Sequence, residues 1–294
     1  ALDHQIVYGR VKIGGAILFD ETTGNNNKYL HRIIAFAGHE IEEFEKFYIG
    51  DDEVTVLEGD GNVAEITDSD GETSDRYDGL IRINKHLGAS DQVADSDLVS
   101  ESSNWTSLHR LNGIAYVYIR FAFSQEAFPN GIPEITAVIK GKKVYDPRTE
   151  ATAYSNNPAL CIRDYLSSGF GLNEASTAID DSRTITAANI CDEVDTLAGT
   201  TRYTLNGAFV TSVTPYDILG DINLSMGGLL WYSQGKWRMK ASKWTPALIS
   251  LDEDDFRSSI AVSTRHSRRD NFNTVRGTFR GDETNWQVTD YPEV

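Results

Sequence analysis

Short apolar runs separated by glycine and asparagine dominate the first half of the chain. Ile6–Ile13 and Ala16–Phe19 are two such runs, split by Gly14-Gly15 and followed by the turn-forming Gly24-Asn25-Asn26-Asn27. Tyr29–Phe36 is rich in aromatic and β-branched residues and predicts a third strand. In Ile41–Ile49 the apolar set Ile41, Phe44, Phe47 and Ile49 mixes helical and strand spacing, and strand is the better fit. Gly113–Phe123 alternates with largely apolar residues on both faces: Ile114, Tyr116, Tyr118 and Arg120 on one, Ala115, Val117, Ile119 and Phe121 on the other. That pattern predicts a central strand covered on both sides. Pro129-Asn130-Gly131-Ile132-Pro133 is a turn. Glu134–Lys140 follows as a strand, and Gly141-Lys142 leads into Lys143–Tyr145.

After Asp146-Pro147 the period changes. Asn157-Pro158 supplies an N-cap and a proline at the first helical position, so a helix is expected over Ala159–Leu166. A second helix is expected from Thr186 through Leu197, with Ile190, Cys191, Val194 and Leu197 as its apolar stripe. Thr214-Pro215 opens a third, carrying Ile218, Leu219, Ile222 and Met226. Arg202–Phe209 reads as a strand. Leu229–Ser233 and Lys236–Lys240, joined by Gln234-Gly235, form a hairpin signal. Strands are expected again between Ser259 and Gln287. The expected organisation is a β-rich domain over 1–150, a mixed α/β domain over 151–250, and strands over 251–294 returning to the first domain.

Charge sharpens this picture. The chain has 294 residues, with 27 Lys and Arg against 44 Asp and Glu, a net charge of −17 that excludes a generally basic nucleic-acid-binding surface. An apolar content of 40% is enough for a core, which excludes disorder along the whole length. No apolar run reaches the roughly 18 residues of a membrane span. Residues 51–97 hold fourteen acids against Arg76, Arg82 and Lys85, and most of this stretch is expected to be solvated loop with one strand at Leu80–Asn84. Six arginines, including Arg265, Arg268, Arg269 and Arg276, fall between 257 and 280 with one acid, Asp270. Just ahead lies Asp252-Glu253-Asp254-Asp255. Pairing of the arginine band with acidic surface of the same chain or a neighbour suits the acidic total better than contact with phosphates. The two cysteines, Cys161 and Cys191, cannot build a disulfide framework, and such sparse usage fits synthesis in a reducing compartment. The N-terminus has no Met and no signal pattern, and both ends read as cut from a longer polypeptide.

Catalytic chemistry needs a constellation that the sequence does not spell out. Glu42, Glu43 and Glu45, or the acids at 252–255, could supply a general acid and base for a glycan-degrading hydrolase. A solvated face is the simpler reading. No histidine falls in a zinc spacing, and no nucleophile elbow or phosphate-binding loop occurs. Asp68-Ser69-Asp70-Gly71-Glu72 matches part of a calcium loop but lacks its closing Glu, which leaves a calcium-dependent adhesion module as a further alternative.

Several segments, in order, carry a resemblance. They include Trp105-Thr106-Ser107, Gly113 to Tyr118, Phe128 to Pro133, Lys143 to Pro147, Asn157 to Leu160 with Asp164-Tyr165-Leu166, Ala187 to Asp192, Arg202-Tyr203 with Asn206-Gly207, Met226-Gly227-Gly228 before Lys236-Trp237-Arg238, and Arg268-Arg269-Asp270 with Asn273, Val275 and Arg276-Gly277. Together the chain resembles the tail-tip hub and host-specificity proteins of long non-contractile-tailed phages, the family of the lambda tip attachment protein J. The resemblance implies a β-rich α+β fold, with a tail-tube-like β-barrel or sheet hub domain and a smaller mixed domain of about three helices. It implies a structural virion protein at the tail tip, assembled in the bacterial cytoplasm as a homotrimer beside distal-tail and tape-measure proteins. Double-stranded DNA would pass without specific binding, and host adsorption would be carried by regions beyond this segment. No enzyme activity, cofactor or metal is implied. On that basis Arg265, Arg268, Arg269 and Arg276 are candidate contacts between subunits, and Asp252, Glu253, Asp254 and Asp255 candidate channel-facing or interface acids.

Overall fold

The computed structural model describes residues 3–57, 59–194, 196, 199–247, 249–259, 261, 267, 274, 276–284 and 286–290. It divides into two units, Ala1–Ser242 and Lys243–Val294. The first unit opens with strands β1 (Gln5–Tyr8), β2 (Arg10–Gly14), β3 (Ala16–Thr23), β4 (Tyr29–Ala37) and β5 (Ile41–Ile49). Next come β6 (Asp52–Val56), β7 (Val63–Thr67), β8 (Thr73–Ser74), β9 (Ile81–His86) and helix α1 (Ser96–Glu101). Then follow β10 (Ala115–Ala122), β11 (Ile135–Asp146), β12 (Ala151–Tyr154), α2 (Pro158–Ser167) and α3 (Asp181–Cys191). The unit ends with β13 (Gly207–Val210), α4 (Pro215–Leu224) and the hairpin β14 (Leu229–Ser233) and β15 (Lys236–Lys240). In the second unit the described regular structure is a pair of short strands, β16 (Thr278–Phe279) and β17 (Thr289–Asp290), and two single-turn 3-10 helices. Among the described residues no helix is long and apolar enough to cross a membrane.

Two antiparallel sheets form the body of the first unit. One has the order β3-β4-β10-β9, the other β12-β11-β5-β6-β7-β8 with β2 also paired to β11. Their facing sides enclose one hydrocarbon core, in which Phe36, Val117, Ile119 and Ile139 are all fully buried. The sheets touch at two corners. At one, the chain runs from β2 straight into β3, leaving one sheet for the other. Gly15 marks this corner, because a Cβ there would lie 2.5 Å from Ile34 Cγ2 and 2.6 Å from the Ala35 carbonyl. At the other, Asn62 bridges Arg82 and the Ile83 N–H donates to the Gly61 carbonyl.

The double coverage expected for 113–123 is present. Val117, Ile119 and Phe121 of β10 enter the main core, while Tyr116 and Tyr118 on its other face pack under Leu98 of α1 and Trp105. A second large core lies beside the first, built from α2, α3, α4 and the hairpin. Strand β1 lies between the two: Ile6 and Tyr8 point into the helical core and Val7 into the sheet core. Gly9, at φ +67°, lets the chain turn from the β13 pairing into the β11 pairing, in contact with Leu205 and Asn206.

Three local expectations need correction. The acidic stretch 51–97 is mostly loop and turn among the described residues, as expected, but it holds four strands, β6, β7, β8 and β9, and the start of α1, where one strand was expected. Val54, Val63 and Ile66 bury one side of it, and the acids concentrate in its turns, where Asp60 accepts from the Asn62 N–H and Asp68 from the Asp70 and Glu72 N–H groups. Helix α3 begins at Asp181 rather than after Thr186, because the Asp180 carboxylate accepts from the Arg183 N–H. Thr186 instead donates to the Ser182 carbonyl from mid-helix. That helix ends at Cys191, and Leu197 lies outside the described residues. The strand expected over Arg202–Phe209 is shorter and later, at β13. The caps at Asn157-Pro158 and Thr214-Pro215 and the two-residue turn at Gln234-Gly235, both with positive φ, are as expected.

Candidate functional site

The candidate acids lie in the second unit. Glu253–Asp255 forms a single 3-10 turn, and Asp252, Asp254 and Asp255 are exposed. Their carboxylates serve the backbone of their own turn: Asp255 Oδ2 accepts from the Asp252 N–H at 3.0 Å and Asp252 Oδ1 from the Asp254 N–H at 3.1 Å. Of the candidate arginines, Arg276 is described and exposed. Arg265, Arg268 and Arg269 lie outside the described residues.

The first unit gathers charged groups that sequence reasoning did not single out. On the outer face of the four-stranded sheet, the Glu101 carboxylate accepts from Arg82 Nη2 at 2.9 Å, Tyr118 OH at 2.9 Å and Arg120 Nη1 at 3.2 Å. With its proton given to Glu101, Tyr118 accepts from His31 Nδ1 at 2.7 Å; burial favours the neutral ring, whose Nε2 then accepts from Thr23 Oγ1 at 2.6 Å. Burial works against the Glu101 charge, but the Arg82 and Tyr118 hydrogen bonds and the arginine charges outweigh it and hold the carboxyl below its usual range. Asp95 follows the same logic beside it. Buried at the start of α1, it caps Leu98 and accepts from His86 and Asn84, which together hold its carboxyl low.

Where the two cores meet, Asp164 Oδ2 on α2 accepts from Tyr8 OH and from Lys142 Nζ, both at 2.6 Å. This places one carboxylate between β1, β11 and α2. His39 is buried nearby, with Nε2 accepting from the Val7 N–H at 2.9 Å and Nδ1 donating to the Glu40 carbonyl at 2.8 Å. Burial drives its pKa down to about 4. Within the helical region Arg148 pairs with Asp146 and Asp192, and Arg163 forks onto Asp181 while covering the Tyr145 ring.

These clusters hold strands and helices together; none is arranged to activate a nucleophile. Glu43 and Glu45, carboxylates considered for acid–base work, are paired with Lys140, and Glu45 also with Arg10; Glu42 faces Lys143. Both thiols are buried, which pushes Cys191 up to about 11 and Cys161 well above its ordinary value, away from thiolate chemistry. The partial calcium loop at 68–72 spends Asp68 Oδ1 on two backbone N–H groups. Among the described residues no group of three or more His, Cys, Asp or Glu is placed to hold a metal ion.

No protein-family model matches the chain. It is 25% identical over 354 aligned positions to the baseplate hub protein pb3 of Escherichia phage T5, an alignment covering 96% of this chain and 36% of that protein. The alignment is longer than the chain, so the relative carries insertions. Among solved structures, a chain from the virion of a native gene transfer agent particle superposes with a TM-score of 0.52 at 16% identity, over 99% of this chain and 64% of that one. The chain therefore shares a β-rich fold with a virion component and is similar in sequence to a phage baseplate hub protein, of which it spans about a third.

Proposed function

We propose that this chain is a structural segment of a phage tail hub, closing the distal end of a tail tube and organising the tail tip around the DNA path. The similarity to baseplate hub protein pb3 along 96% of the chain carries this reading. A likeness of fold to a virion component over the same length supports it. The segments that resemble the lambda tip attachment protein J family favour a tail-tip hub of a long-tailed phage. In this role the protein works by shape and surface charge, without catalysis, at the tail tip of a virion assembled in the host cytoplasm. Host adsorption falls to other parts of the full-length hub, and distal-tail and tape-measure proteins are its neighbours.

A hub around a tube calls for a closed ring, and three copies are the proposed number. Ring contacts are heterologous, so one face of a protomer meets a different face of the next. The proposed division is a hub domain over 1–150, a mixed domain over 151–250 and a returning segment over 251–294. Arg265, Arg268, Arg269 and Arg276 supply the positive side of the ring contact. Asp252, Glu253, Asp254 and Asp255 face either that contact or the channel, where negative charge keeps phosphates from binding the wall. Mass measurement by light scattering at low and high salt tests the ring. The expected result is three times the 32.6 kDa chain mass, with assembly weakened and made more salt-sensitive by Arg268→Glu with Arg269→Glu. A monomer under all conditions, or a trimer indifferent to that double change, overturns the corresponding part.

A further inference from the structure

We infer that the groove between α4 and the β14–β15 hairpin is a docking site for a cationic, apolar segment of a different protein. Tyr216 and Leu219 of α4 form one wall, and Leu230, Tyr232 and Trp237 of the hairpin the other, around an open cleft of about 510 Å³. That is large enough to take several side chains. Tyr216 is 85% exposed and Tyr232 57%, a concentration of uncovered aromatic surface on two adjoining elements. Aromatic side chains of this kind dominate binding at protein interfaces.

The walls are held independently of any occupant. Ile218 and Ile222 bury the inner face of α4, and Thr214 caps its first turn. Asn223 Nδ2 donates to the Gly228 carbonyl at 2.8 Å, tying the end of the helix to the start of the hairpin. Tyr232 and Trp237 meet edge to face with centroids 5.4 Å apart. A site held in this way loses little freedom when it is filled.

Charge selects the occupant. Asp217 and Asp221, four residues apart and exposed on α4, line the cleft, and among the described residues no lysine or arginine lines it. A second copy offering the same face would set these carboxylates against their own kind. A foreign segment with apolar side chains for the walls and Lys or Arg for the two aspartates is complementary on both counts. The inference holds whichever particle the chain serves.

The test titrates the full chain into fluorescein-labelled amphipathic peptides of about 14 residues, followed by anisotropy at physiological salt. The Leu/Lys peptide is compared with a Leu/Glu peptide of the same pattern and a Ser/Lys peptide of the same charge. We expect the Leu/Lys peptide to bind at least about tenfold more tightly than either control. Tyr216→Ser with Tyr232→Ser should weaken it at least about fivefold, and Asp221→Lys should reduce the preference for Lys over Glu, with far-UV circular dichroism unchanged in both. Equal binding of the Leu/Lys peptide and either control overturns the inference, as does binding indifferent to the groove substitutions. Concentration-dependent dimerisation abolished by Tyr232→Ser also overturns it, since the occupant would then be a second copy. The peptide outcomes do not bear on the ring, which is tested separately by mass.

Discussion

The two cores of the first unit are stabilised differently. The sheet core is hydrocarbon throughout its centre, with Phe36, Phe44, Phe47, Val117 and Ile119 interleaved and its charged groups confined to the outer faces. The helical core admits polar groups into its interior: Asn157, Arg163 and Thr184 are all buried there, and Tyr8 brings its hydroxyl to Asp164 at its edge. A sheet satisfies its backbone through neighbouring strands, so its side chains can be purely apolar. Three short helices leave many terminal N–H and C=O groups unpaired, and buried polar side chains meet that demand. Asn157 does so on both sides: Oδ1 accepts from the Ala159 N–H, while Nδ2 donates to the Ala188 carbonyl and to Asp192.

Substitutions in each core test the contrast. Phe36→Ala, which empties a fully buried site facing both sheets, should cost about 3–5 kcal/mol, read as a lower urea midpoint with unchanged slope. A loss below about 1 kcal/mol would mean the sheet core is loosely packed, and the contrast would fail. The next effect comes from acid, at the seam between the cores. His39 has a folded pKa of about 4 against an ordinary 6.5, so the unfolded chain binds the extra proton and stability falls as pH drops from 6.5 towards 4. That contribution amounts to about 3 kcal/mol. Lys142 and Asp164 act on the ring with opposite signs, and burial is the larger cause. His39→Gln should flatten the stability profile in that interval, whereas an unchanged slope would assign the acid response to other groups. The smallest effect is expected at Asn157→Ala, about 2 kcal/mol from the lost cap and the lost hydrogen bonds to the Ala188 carbonyl and Asp192. If it cost nothing, buried polar groups would not be what anchors the helices.

Parts of both cores could be read directly along the chain. The alternation of 115–122, the caps at Asn157 and Thr214 and the hairpin turn at Gln234-Gly235 all depend on residues within a few positions of each other. The start of α3 was misplaced because Asp180 and Thr186 are both competent caps. Packing against α2 and β15 buries Thr184, Ala187, Ala188 and Cys191, which favours the earlier start. Three of the four strands within 51–97 were missed because its acid count hides the few apolar positions that pair it into the sheet. For the candidate site, the acids at 252–255 bond to their own backbone, a turn that the reading of them as a solvated face did not specify. The Glu101 cluster was not recognisable, because Thr23, His31, Arg82, Arg120 and Tyr118 reach it from four strands.

The sequence alone determined what local chemistry controls: the β-rich first half, two of the three helix starts in the second, the hairpin, and a net charge that excludes a generally basic surface. Tertiary structure alone decided that one N-terminal stretch serves three sheets, that Val7 and Tyr8 enter different cores, and that α4 and the hairpin leave an acidic apolar groove between them. The reason is range. Caps and turns draw their free energy from neighbours in the chain, whereas burial and ion pairing draw it from residues tens to hundreds of positions away, whose proximity exists only once the chain has folded.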